Sequence, residues 1–134
     1  MRFMIIVKST PGLEAETTSQ APDEKLMAAM TDYMQELSRA GVLLDASGLQ
    51  PSRKGWRIQY DGQKRTVIDG PFAEAKELIA GFTIIQVRSR EEAMEWSRRY
   101  PNPAGEKNMA AVIEVRQLYE LGDCTAGSLS AFAK

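Results

Sequence analysis

Residues 79–92 read Ile-Ala-Gly-Phe-Thr-Ile-Ile-Gln-Val-Arg-Ser-Arg-Glu-Glu, a strand followed directly by the start of a helix. From Ile79 to Arg88 the β-branched residues Thr83, Ile84, Ile85 and Val87 favour extended backbone, because branched side chains pack well on a pleated surface. Ser89-Arg90-Glu91-Glu92 is then a capping box: the serine oxygen takes an orphan backbone N–H and Glu92 reaches back. The helix it opens carries Ala93, Met94, Trp96, Ser97 and Tyr100 and stops at Pro101-Asn102-Pro103. Beyond it a last strand is expected from Ala111 to Leu118, alternating Ile113 and Val115 with Glu114 and Arg116.

Upstream, Gly70-Pro71 turns the chain sharply, and Phe72 to Glu77 has room for one helical turn. Trp56, Ile58 and Tyr60 alternate with Arg57 and Gln59, the pattern of a half-buried strand. Asp61-Gly62 marks a hairpin turn, since both residue types tolerate positive φ, and the returning strand runs from Lys64 to Asp69. Val42-Leu43-Leu44 opens an earlier strand that ends near Gly48-Leu49-Gln50-Pro51. Before it, Leu26, Met30, Tyr33 and Leu37 recur at helical spacing, with Met27 and Met34 beside them. Asp23 and Glu24 suit the positive end of that helix, and Ala40-Gly41 supplies its left-handed stop. The methionine stripe serves either core packing or an adaptable binding face. Arg2–Lys8 is a short apolar strand, and the polar stretch from Ser9 to Pro22 a loop.

The element order is thus β-α-β-β-β-β-α-β: an α+β fold, a ferredoxin-like split β-α-β with an inserted hairpin. It forms one domain over residues 1–118, with a C-terminal tail over 119–134 expected to be mobile or docked on a partner. Helices on one face of such a sheet leave the other bare, yet Phe3-Met4-Ile5-Ile6-Val7 and Thr83-Ile84-Ile85 are apolar on both faces. A bare apolar face is a sticky patch, and a second copy of the chain is the simplest cover, so a homodimer is expected. At roughly 25 cal/mol per Å², the apolar share of an interface of about 1,600 Å² can outweigh the entropy of association.

Composition narrows the function. The chain has 134 residues, 43% of them hydrophobic, enough for a packed core. Its 17 basic and 18 acidic side chains leave a net charge of −1, so no field favours nucleic acid. Trp56 with Arg53, Lys54 and Arg57 makes only one small basic aromatic cluster, and no nucleic-acid partner is expected. The one cysteine, Cys124, excludes an internal disulfide and reads as an incidental thiol. Histidine is absent, which removes Ser-His and Cys-His catalytic pairs and the commonest transition-metal ligand. No metal and no cofactor is expected. The N-terminal apolar run is too short for a signal peptide or a membrane span, so the expected location is cytoplasmic, away from membranes.

Asp69-Gly70-Pro71-Phe72 is a recognisable string. With Gly41-Val42-Leu43-Leu44, Gly48-Leu49-Gln50-Pro51 and Val67-Ile68 before it, and Ala73 to Glu77 after it, the chain resembles the YCII-related family, in its DGPF-type branch. Glu91 to Trp96 and Ile113-Glu114-Val115-Arg116 fit the same pattern, and the match runs from about Arg2 to Leu118. The resemblance implies a dimeric α/β barrel. Classical members look like enzymes with a histidine–aspartate acid/base pair, which a chain without histidine cannot inherit. DGPF-type relatives are often associated with sigma factors of the extracytoplasmic-function class, which implies a regulatory link.

Asp69, ending a strand before a turn, could face a cleft as a catalytic acid/base or ligand-binding carboxylate; alternatively it pins the following turn by accepting backbone N–H bonds. Phe72 is a core or pocket-wall anchor. Glu74, Lys76 and Glu77 read as a solvated face beside it. Glu114 and Arg116, two apart on a strand, point the same way, forming either a ligand-binding pair in a dimer cleft or an exposed edge pair. Ser47 and Gln50, flanking Gly48-Leu49, either complete that pocket or bond within the turn. Three functions follow. The first is a dimeric small-ligand-binding or regulatory protein, its ligand small and polar. The second is a cofactor-independent lyase, isomerase or oxygenase with Asp69 as base and Arg116 holding an anionic group. The third is a plain protein-interaction module.

Overall fold

The structure, a computed structural model, describes residues 1–10, 24–105 and 110–120. Its elements are β1 (Arg2–Lys8), α1 (Glu24–Arg39), β2 (Leu43–Gly48), β3 (Trp56–Asp61), β4 (Lys64–Asp69), β5 (Ile79–Gln86), α2 (Arg90–Arg98) and β6 (Ile113–Gln117). Short 3-10 turns lie at Ser52–Lys54 and Ala75–Glu77, the second being all that forms of the helical turn expected after Phe72. Four strands make an antiparallel sheet in the order β2-β5-β1-β6, and β3 and β4 pair in a separate two-stranded sheet. This mixed α+β arrangement is consistent with a ferredoxin-like fold. The polar stretch after β1 and the expected tail lie outside the described residues, except Ser9, Thr10, Tyr119 and Glu120.

Strand alternation decides where the core sits. Along β1, Phe3, Ile5 and Val7 are buried while their neighbours are half-buried, and register sets Phe3 opposite Ile85 and Ile5 opposite Thr83. Tyr33 and Leu37 of α1 and Ala93 of α2 close over that face. Ile5, Leu37 and Ile85 are fully buried, each contributing about 1.5–3 kcal/mol of transfer free energy. On the other face Met4 pairs with Ile84 and Ile6 with Phe82, away from both helices.

The C-terminal stop of α1 and the N-terminal cap of α2 follow their sequence signals, while Asp23, expected at the start of α1, lies outside the described residues. At the end of α1, Val42 N–H donates to Leu37 O (3.1 Å) and Gly41 N–H to Ser38 O (3.0 Å), with Gly41 at φ 74. That is a Schellman stop, reinforced by burial of both Leu37 and Val42. Ser89 caps α2 by accepting from Glu92 N–H at 3.1 Å. The reciprocal bond runs one residue further back than a capping box requires, from Arg88 N–H to the Glu92 carboxylate (3.2 Å). Between the helices, Tyr33 Oη donates to Trp96 O at 2.7 Å, and its ring meets those of Trp96 and Tyr100 edge-on at 6.4 and 5.2 Å.

The hairpin departs from expectation in two ways. Trp56, Ile58 and Tyr60 alternate as predicted, but every residue of β3 and β4 is exposed rather than half-buried. Alternation reports that one face is apolar; it does not say that the same chain covers it. The turn also shifts by one residue. Asp61 still pairs with Lys64, so Gly62 and Gln63 make the loop, with Gly62 at φ 61.

Candidate functional site

A pocket of about 330 Å³ opens between α1 and the helix-side face of the sheet. The helix contributes Leu26, Met30 and Met34, spaced four apart so that they stack on one face. Opposite them lie Val7 of β1, Ala46 and Gly48 of β2, and Gly81 and Thr83 of β5. Tyr100 and Pro103, just past α2, close one side. The space exists because the sheet is thin here: Gly48 pairs directly with Gly81, and a Cβ added to Gly48 meets nothing within 4 Å. Gly81 has no such freedom, since a Cβ there would come within 2.8 Å of Ser47 O and 3.2 Å of Gly48 Cα.

The polar groups of the pocket are few. Thr83 is 1% exposed, and its hydroxyl lies beside that of Tyr100. Burial raises the Tyr100 pKa, with the neighbouring Thr83 hydroxyl working the other way. Tyr100 is the only titratable side chain among the described lining residues. At neutral pH it is a hydroxyl that can donate or accept, not a base. The described walls can therefore grip an apolar body and orient one polar group, and no carboxylate stands among the described lining residues.

The residues singled out from sequence fall in three places. Asp69 ends β4, exposed and paired across the hairpin with Trp56. Its carboxylate has no hydrogen-bond or ion-pair partner among the described residues, so it does not pin the following turn. That turn is held by Gly70 N–H donating to Gly55 O (3.0 Å) and Phe72 N–H donating to Ser52 Oγ (3.1 Å). A Cβ at Gly70 would collide with the Ser52 carbonyl, so only glycine lets the two turns approach. Phe72 is half-buried there, with the Arg57 guanidinium 3.8 Å from its ring centroid, and Gln50 accepts from Lys54 Nζ (3.3 Å).

Glu114 and Arg116 do point the same way. Arg116 Nη1 lies 3.2 Å from Glu114 Oε2 on the outer strand β6, on the sheet face away from the helices. Lys8 Nζ approaches the other Glu114 oxygen at 3.8 Å. Ser47 sits opposite Phe82 on β2, with its side chain toward the same helix-free face, and borders the pocket from the strand end. Within one chain, then, the structure joins Phe72 to the hairpin base and Glu114 to Arg116, and of the singled-out residues only Ser47 touches the pocket. Sequence reasoning met Met30 and Met34 as a stripe but passed over Thr83, Tyr100 and the Gly48–Gly81 pair. Among the described residues no group of three acidic, Cys or His side chains could hold a metal ion, and no helix is long and apolar enough to cross a membrane.

Comparison with known proteins adds three findings. The YCII-related domain model matches residues 1–121. An uncharacterised protein of Rhizobium meliloti (strain 1021) is 31% identical over 84 residues, covering 63% of this chain and 68% of the relative. A solved structure, the 5-chloro-2-hydroxyhydroquinone dehydrochlorinase TftG from Burkholderia phenoliruptrix AC1100 in complex with 2,5-dihydroxybenzoquinone, superposes with a TM-score of 0.47 at 16% identity. That superposition covers 89% of this chain and 94% of the other.

Proposed function

This chain belongs to the YCII-related family, and on that premise we propose that it is a homodimeric small-ligand-binding or regulatory protein whose ligand occupies the pocket between α1 and the sheet. The observation that carries this reading is the make-up of that pocket: methionine and aliphatic walls around one hydroxyl pair, Thr83 and Tyr100. A volume of about 330 Å³ lies at the small end of ligand sites, so the ligand is a small molecule with a largely apolar body and one or two hydrogen-bonding groups. That revises the expectation of a polar ligand held by Glu114 and Arg116. Those residues sit on the opposite sheet face, which in this reading belongs to the dimer contact. Met4, Ile6, Phe82 and Ile84 supply its apolar centre, and stacking two such sheets makes the dimeric barrel. The Asp69-to-Phe72 string supports a place in the DGPF-type branch, with its regulatory associations.

A thermal-shift screen of small neutral compounds tests the reading. Hits are expected to stabilise the wild type and to lose their effect in Gly48→Val, whose Cβ enters open space beside the pocket, and to weaken in Tyr100→Phe. Hits that stabilise all three proteins equally would place the ligand elsewhere and overturn the assignment.

A further inference from the structure

The β3–β4 hairpin presents a problem of stability that the other described residues leave unsolved. A lone two-stranded hairpin is marginal in water, yet all residues of both strands are exposed. Register makes its faces unequal. Trp56, Ile58, Tyr60 and Val67 share one face, and the first, third and fourth are 63–65% exposed. Arg65 leans over the Tyr60 ring at 5.1 Å, on the same face. The opposite face carries Arg57, Gln59, Thr66 and Ile68. So large an aromatic and aliphatic stripe, rimmed by charge, has the composition of an interface core.

Charge identifies the occupant. Between residues 51 and 72 five side chains are basic (Arg53, Lys54, Arg57, Lys64, Arg65) and two acidic (Asp61, Asp69), a balance of +3. The remainder of the chain keeps 12 of the 17 basic and 16 of the 18 acidic residues, a balance of −4. The hairpin together with the turn that precedes it (residues 51–72) and the rest of the same protein are thus oppositely charged, with Arg53 and Lys54 at the hairpin base supplying two of the five cations. A two-fold pairing lets each such segment meet the other body in a closed arrangement. We infer that the Trp56–Ile58–Tyr60–Val67 face of the hairpin packs against a second copy of this chain. The inference rests on the homodimer reading and adds a contact to it that the stacked sheets do not supply.

The full-length protein tests this with Trp56 as reporter, in a Trp96→Phe background. Its emission should shift to the red on dilution, together with dissociation seen by sedimentation, and Trp56→Ser/Tyr60→Ser should weaken self-association at least about tenfold. Hydrogen exchange of the hairpin amides at high and low protein concentration gives the same reading without the background substitution. A protein that is monomeric throughout would overturn the homodimer reading itself. A dimer in which Trp56 stays solvent-exposed, or whose double variant associates as tightly as wild type, would overturn the hairpin contact alone. Shielding of Trp56 that persists once sedimentation shows the dimer dissociated, or association that strengthens with salt, would also overturn it.

Discussion

Removing one hydroxyl, in Tyr33→Phe, should change both the stability of the protein and the pH dependence of that stability. Tyr33 is 4% exposed, and its hydroxyl donates to Trp96 O at 2.7 Å, tying α1 to α2. Trp96 O also accepts from Arg99 N–H at 3.2 Å, so the variant leaves no orphaned carbonyl and the loss at neutral pH is about 1 kcal/mol. That corresponds to a fall in Tm of roughly 2–5 °C for a domain of this size. Burial, with Tyr100 beside it, pushes the Tyr33 pKa well above its ordinary value. Above about pH 10 the unfolded tyrosine loses its proton while the folded one keeps it, so the unfolded state binds fewer protons and wild-type stability falls as pH rises. Phenylalanine has no such term. By about pH 11 the wild type has lost about 1.4 kcal/mol through this residue, and the two proteins should be equally stable near there. Urea unfolding from pH 7 to 11.5 measures the gap. A gap that stays constant across the range would refute the argument, since it would mean that Tyr33 ionises alike in both states.

Three other substitutions probe separate parts of the fold. Leu37→Ala, at a fully buried position that also anchors the Schellman stop, should cost about 2–5 kcal/mol in denaturant unfolding; a loss below about 1 kcal/mol would mean that the core is not centred there. Gly70→Ala forces the Ser52 carbonyl away and should cost about 1–3 kcal/mol, with faster hydrogen exchange at Gly70 and Phe72; unchanged exchange at both amides would deny the close approach. Gly48→Val should leave stability within about 1 kcal/mol, whereas Gly81→Val should be clearly destabilising, because only the second meets backbone; equal effects would contradict the pocket geometry.

Much of the fold was legible because it is written in local periods. The branched run from Thr83 to Val87, the stripe from Leu26 to Leu37 and the Ala40-Gly41 stop each correspond to an element or boundary in the structure. The Glu114–Arg116 contact was legible for the same reason, since two residues apart on a strand is a local relation. The pocket was not. It depends on Gly48 meeting Gly81, a long-range register that no window of sequence reports, and on Tyr100 returning from beyond α2 to reach Thr83. In sequence, Thr83 is one branched residue among several and Tyr100 a helix end. The bare hairpin escaped for a different reason: a strand covered by its own chain and one covered by another protein alternate identically.

What lies between α1 and the sheet decides whether this protein binds a small ligand there. Isotope-filtered NMR of a hit from the thermal-shift screen, bound to protein labelled at its methionine methyls, reports this directly. Contacts from the ligand to the Met30 and Met34 methyls are predicted, together with a shifted Thr83 resonance. Contacts to Met4 on the helix-free face, with Met30 and Met34 silent, would contradict it.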